Sequence, residues 1–125
     1  GDRPGATAAL KKALEENPDD FDAHVTLGAI LNSERDLDGA RKHLDRAVQL
    51  RPDSSLARFE LARVERTQGQ LEAALKDFER VVHDNPDWQQ PHIDLSALYY
   101  KLNRPEDGQR ERAIVDKLSA QVPSR

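Results

Sequence analysis

The chain has 125 residues, 34% of them charged and 37% hydrophobic, and its 19 basic and 23 acidic side chains leave a net charge of -4. That is room for one compact domain or one short array with much solvated surface, and no basic stripe gathers to meet nucleic-acid phosphates. No apolar run approaches the roughly 20 residues that membrane insertion of a helix needs, and the absence of cysteine removes disulfides, thiolate zinc sites and cysteine nucleophiles together. The first residue is Gly1 and methionine is absent, as expected of a processed chain or a piece excised from a longer one. Cytoplasmic and exported origins both stay open.

In chain order, amphipathic spacing predicts helices at 5-16, 20-33, 37-50, 54-67, 71-84, 88-101 and 105-120. After the first, the helices come in pairs, split by polar turns such as Asn32-Ser33-Glu34-Arg35-Asp36 and Thr67-Gln68-Gly69-Gln70. The pairs repeat. Pro18, Pro52 and Pro86 stand 34 residues apart, each followed by an aspartate (Asp19, Asp53, Asp87), and Leu27, Leu61 and Leu95 keep the same step. Ala6, Ala40, Ala74 and Gly108 make another column, Leu10, Leu44, Phe78 and Arg112 a fourth, and Ala13, Ala47, Val81 and Val115 a fifth. A fixed period of this length is the mark of a stacked helical-hairpin architecture. Small residues at Gly28, Ala62 and Ser96 are expected to let paired helices approach closely, and each Pro-Asp step to end one unit and open the next, with aspartate or Ser54 as the new amino-terminal cap.

The columns resemble the tetratricopeptide repeat family, whose signature sets aromatic, leucine, small and closing-proline positions at this period. Residues 21-54 carry His24, Leu27, Gly28, Leu31, Ala40, Leu44, Ala47 and Pro52; residues 55-88 carry Leu61, Ala62, Ala74, Phe78, Val81 and Pro86, with Arg58 and Glu65 where the pattern prefers aromatics. Residues 89-125 keep Leu95, Ser96, Tyr99 and Gly108, then depart at Arg112, and residues 1-20 resemble the second helix of an incomplete leading unit. The resemblance implies an all-α, right-handed solenoid of about seven antiparallel helices. It also implies that the first helices line a concave face that receives peptides or helices of partner proteins.

The candidates for chemistry are sparse. His24, His43, His83 and His92 show no ligand spacing within a helix turn, and His24 and His92 sit two units, roughly 20 Å, apart. His24 and His92 are therefore expected to pack at the hairpin seam in place of the family's tryptophan. Glu15-Glu16, Asp19-Asp20 and Asp36-Asp38 lie at helix ends, where negative charge favours the helix dipole, and no nucleophile, phosphate-loop or zinc motif is present. Neither a cofactor, a metal nor an enzymatic reaction is expected of this segment.

By the 100° step, the face opposite each core stripe holds Val25, Ala29 and Asn32, then Phe59, Arg63 and Arg66, then Ile93, Ala97 and Tyr100, with Lys101 beside them. These ten residues are the expected peptide-binding groove. Its partner is expected to be an acidic, amphipathic segment, unidentified, lying in a trough of roughly 25 Å that accommodates about seven or eight extended residues. The lysine, asparagine and arginine clamp with which some family members hold chaperone carboxyl-terminal tails is not matched, since the corresponding columns carry Val25, Ala29, Glu60, Gln90 and Asp94. The alternative is a structural segment of a longer solenoid that self-associates or stacks through its ends, above all through the amino-terminal helix. At the other end, Arg112 gives 105-120 the more polar outer face expected of a terminal cap.

Overall fold

A computed structural model describes residues 3–121; the extreme ends of the expected first and last segments, 1–2 and 122–125, lie outside them. Seven helices follow in order: α1 (Arg3–Glu16), α2 (Phe21–Ser33), α3 (Leu37–Leu50), α4 (Ser55–Thr67), α5 (Leu71–Asp84), α6 (Gln89–Lys101) and α7 (Pro105–Ala120). No strand occurs among the described residues. Helices α2 and α3, α4 and α5, and α6 and α7 pack as antiparallel hairpins stacked in chain order, with α1 leaning on α2. The chain is an all-α solenoid segment.

Each hairpin turn is built the same way. Arg35, Gly69 and Asn103, again 34 residues apart, hold φ of 67°, 82° and 62°. The next residue donates its amide hydrogen back to the carbonyl of Leu31, Glu65 or Tyr99 (2.8 to 2.9 Å), closing a Schellman motif over the helix end. Glycine takes this left-handed backbone without strain and asparagine tolerates it, whereas Arg35 adopts it at a cost. Ser54 caps α4 as expected, its hydroxyl accepting from the amide of Ala57 (3.2 Å). At α2 the cap is Asp20, which accepts from the amide of Ala23 (3.1 Å), and not the aspartate that follows the proline. That aspartate lies one residue too early to reach the amides of the first turn, and Asp19 instead pairs with Arg46 on α3.

Packing within a hairpin sets small against large. A methyl group on Gly28 would come within 2.5 Å of the Leu44 Cγ, so α2 and α3 lie as close as a bare backbone allows. The apolar clusters then cross between hairpins. Leu27, Leu31, Ala40 and Leu44 close on Leu61 and Val64 of α4, with Leu10 and Leu14 of α1 against them. Phe59 and Ala62 of α4 join Phe78 and Val81 of α5 and Leu95, Leu98 and Tyr99 of α6. Because α4 contributes to both clusters, no hairpin has a core of its own, the condition that makes repeat arrays cooperative between neighbours. Leu61→Ala should therefore cost about 2 to 5 kcal/mol in urea unfolding, and hydrogen exchange should accelerate in α2 and α3 as well as in α4 and α5. An unchanged midpoint would place Leu61 outside the core.

Candidate functional site

The face shared by the first helices α2, α4 and α6 divides into a buried part and an accessible part. Val25 is only 7% exposed and packs with Phe21, Ala47 and Ala57. Phe59 is 3% exposed, its ring edge-on to Phe78 at 6.0 Å between centroids and tilted against Trp88 at 4.8 Å. In both cases the next hairpin supplies the cover, through Ala57 for Val25 and Trp88 for Phe59. Ala29 and Asn32 are half-buried. The same column on α6 has no such cover among the described residues: Ile93 is 40% exposed and Tyr100 49%, with Ala97 and Lys101 exposed beside them. Leu56, at the start of α4, is exposed too. It precedes Arg63 by seven residues and so shares its side of the helix, a surface residue that the sequence pattern did not single out.

The two arginines of this face are engaged. Arg63 Nε and Arg66 Nη1 both lie 3.7 Å from the carboxylate of Asp94, which is buried on α6, and Gln90 donates to the same carboxylate (3.2 Å). The Arg63 guanidinium also rests 5.4 Å from the Phe59 ring centre. One buried carboxylate thus balances part of the positive charge expected to face a ligand. Burial, opposed in part by Arg63, raises the carboxyl of neighbouring Glu60 above its ordinary range.

Arg58 and Glu65, the two departures from the aromatic pattern, make polar contacts, Arg58 within its own hairpin and Glu65 to the preceding one. Arg58 donates to Asp77 of α5 (3.1 Å) and to the Pro52 carbonyl (3.0 Å). Glu65 is buried on α4 with Arg41 of α3 at 3.5 Å; Arg41 also bonds Asp45 and, across the seam, Gln70 at 2.8 Å. Burial first, and the Asp77 carboxylate second, push the Glu65 carboxyl up to about 8.

The Arg58 arrangement recurs. At the same column, His24 Nε2–H donates to the Pro18 carbonyl (2.7 Å) while its Nδ1 meets His43 Nδ1 at 3.1 Å. His92 Nε2–H donates to the Pro86 carbonyl (2.8 Å) while its Nδ1 meets Glu111 Oε1 at 2.7 Å. Each first helix therefore clamps the carbonyl six residues before it and a side chain 19 residues after it. His24 and His92 are buried at the seam, but they are polar joints and not apolar substitutes for tryptophan. An open cleft of about 420 Å³ lies beside the first joint, lined by Pro18, His24, Lys42, His43 and Arg46.

Tetratricopeptide repeat patterns match residues 1–58 and 33–91. The chain belongs to the tetratricopeptide repeat family. Among solved structures it is similar to a MamA fragment, residues 41 to the end, from Desulfovibrio magneticus RS-1, at a TM-score of 0.90 and 22% identity over 99% of this chain and 70% of that one. A double mutant of MamA from RS-1 gives 0.89 and 22% over 100% of this chain and 70% of the other, and MamA from AMB-1 gives 0.83 and 20% over 98% and 72%. At these identities the similarity establishes the fold. No curated protein matches the chain. Among the described residues no helix is long and apolar enough to cross a membrane.

The buried Glu65 makes stability depend on pH. Its folded value near 8 lies above the unfolded value near 4.5, so the folded chain holds a proton that the unfolded chain releases. Stability from this group is full below the lower value and declines as pH rises through that window. Glu65→Gln should match the parent at pH 5 and exceed it at pH 8.5, by on the order of 2 kcal/mol in urea unfolding. Equal differences at the two pH values would show that Glu65 is ionised in the fold.

Proposed function

We propose that the chain is a non-catalytic scaffold that binds a short segment of a partner protein along the α4–α6 side of its first-helix face. The observation that carries this reading is the run Ile93, Ala97 and Tyr100, exposed on α6 at positions whose counterparts on α2 and α4 are covered, half-buried or ion-paired. A further stacked hairpin would need an apolar surface on α7 as well. There, Arg112 and Asp116 stand in the columns of Leu44 and Phe78 and of Val48 and Val82, and both are exposed at the side chain. The apolar stripe on α6 therefore suits a ligand that touches α6 and α4 alone. Leu56, Ile93 and Tyr100 supply the apolar contacts, and Arg63, Arg66 and Lys101 supply the positive rim. An acidic group of the partner competes with Asp94 for the two arginines. Two or three contacts of about 1.5 to 3 kcal/mol each, less the entropy of association, correspond to micromolar affinity.

A second reading rests on α1. Ala6 is exposed and Leu10 half-buried, whereas Ala40 and Leu44, in the same columns, are fully buried. A self-associating array would bury this side of α1. Displayed eight-residue peptides rich in acidic and apolar residues should enrich on the parent protein and lose at least tenfold in affinity with Ile93→Asp, while Arg110→Ala has no effect. Peptides that bind Ile93→Asp as well as the parent, together with a mass that rises with concentration in sedimentation velocity, would replace the groove reading with stacking.

A further inference from the structure

Three joints occupy one column, and they differ in what a proton does to them. In the second hairpin the donor is Arg58 and the acceptor Asp77. In the third, His92 donates to the Pro86 carbonyl through Nε2, so its Nδ1 meets the Glu111 carboxylate at 2.7 Å only with a proton between them. That proton is part of the joint and holds its two members together. In the first hairpin both members are imidazoles. His24 Nε2–H is committed to the Pro18 carbonyl, which leaves its Nδ1 lone pair facing His43, so His43 must donate from Nδ1. The ring centres are 5.3 Å apart and the nitrogens 3.1 Å, which puts both nitrogens near the line between the rings, head to head, as a single shared N–H requires.

We propose that the His24–His43 pair is a proton-operated joint, closed while it carries at most one extra proton and opened by the second. The first extra proton goes to the free Nε2 of His43 and leaves the Nδ1–H···Nδ1 bond intact. The second can only go to His24 Nδ1, where it sets two N–H groups and two positive charges face to face. The surroundings give the doubly charged pair little relief. Lys11 comes from α1, and Lys42 and Arg46 lie on α3; Arg46 is taken up by Asp19, and Asp45 is held by Arg41. Asp36, at the far end of the hairpin, is the carboxylate that favours the charge on His43, against burial, His24, Lys42 and Lys11, which together lower its proton affinity. Opening removes the hydrogen bond that this joint makes between α2 and α3, while the His24 imidazolium keeps its Nε2–H on the Pro18 carbonyl. Acidification then loosens the amino-terminal end of the array and leaves the carboxyl-terminal hairpin shut.

The test is hydrogen exchange at pH 7 and pH 5 with chelator present, each rate divided by its intrinsic value. Protection over 21–50 should fall at least tenfold, with that over 89–120 unchanged. His43→Gln, which can still donate to His24 but takes no proton, should remove the effect, as should the double change His24→Arg with His43→Asp, which copies the Arg58–Asp77 joint. Nitrogen-15 spectra at pH 7.5 should show His24 protonated at Nε2 and His43 at Nδ1. Uniform loss of protection along the chain, persistence of the effect in His43→Gln, or the opposite tautomers would overturn the proposal.

Discussion

The array depends on how closely the two helices of each hairpin approach. Gly28 lets the α2 backbone rest on Leu44, the small Ala62 shares one buried cluster with Phe78, and Ser96 donates its hydroxyl to the Gly108 carbonyl (2.9 Å) where α6 meets α7. Close approach fixes the angle of each hairpin, and that angle decides which residues of the next first helix reach the preceding one. The covering of Val25 by Ala57, the covering of Phe59 by Trp88, and the meeting of Arg63 and Arg66 with Asp94 all follow. Ile93 and Tyr100 are exposed for a different reason: among the described residues no further first helix reaches their column.

Polar contacts stand where the family pattern has aromatic side chains. Arg58 and Glu65 replace expected aromatics, and each is placed against groups that partly compensate its burial: Asp77 and the Pro52 carbonyl for Arg58, Arg41 for Glu65. Partners of this kind add little net stability over apolar packing, yet a mismatched register would strand a buried charge at a cost of several kcal/mol. The columns 24, 58, 92 and 43, 77, 111 thus specify which turn of one helix faces which turn of the next. Glu65 is the strained member, retained with its proton because burial and Asp77 outweigh Arg41.

Nearly all of the helix pattern was legible in the sequence, because the 34-residue period marks each turn and each closing proline. Ser54 is legible as a cap beside Pro52-Asp53, whereas Pro18-Asp19 reads as a cap until the geometry places Asp20 at the Ala23 amide. The surface was harder. Helical spacing assigns Val25 and Phe59 to a face but does not say what covers it, and the covering residues lie roughly 30 residues downstream. Arg63 and Arg66 read as the charged side of the groove with Glu60 and Asp94 at its border, but only the fold brings both arginines to the Asp94 carboxylate. The His24–His43 contact does not show as spacing within one helix turn, because its members are 19 residues apart across a hairpin. The signal was there: at that same offset stand Arg58 with Asp77 and His92 with Glu111.

The close approach within the hairpin is tested most directly by comparing Gly28→Ala with Gly108→Ala in urea unfolding. Either change gains about 0.5 to 1 kcal/mol of helix preference. A new methyl at 28 meets the Cγ of fully buried Leu44 at 2.5 Å, whereas one at 108 meets the ring of half-exposed Tyr100 at 2.8 Å, which has room to turn away. Gly28→Ala should lose about 1 to 3 kcal/mol net of that gain, and Gly108→Ala should lose nothing. Equal stability of Gly28→Ala and the parent would contradict this, because the α2 backbone would then not rest on the Leu44 side chain.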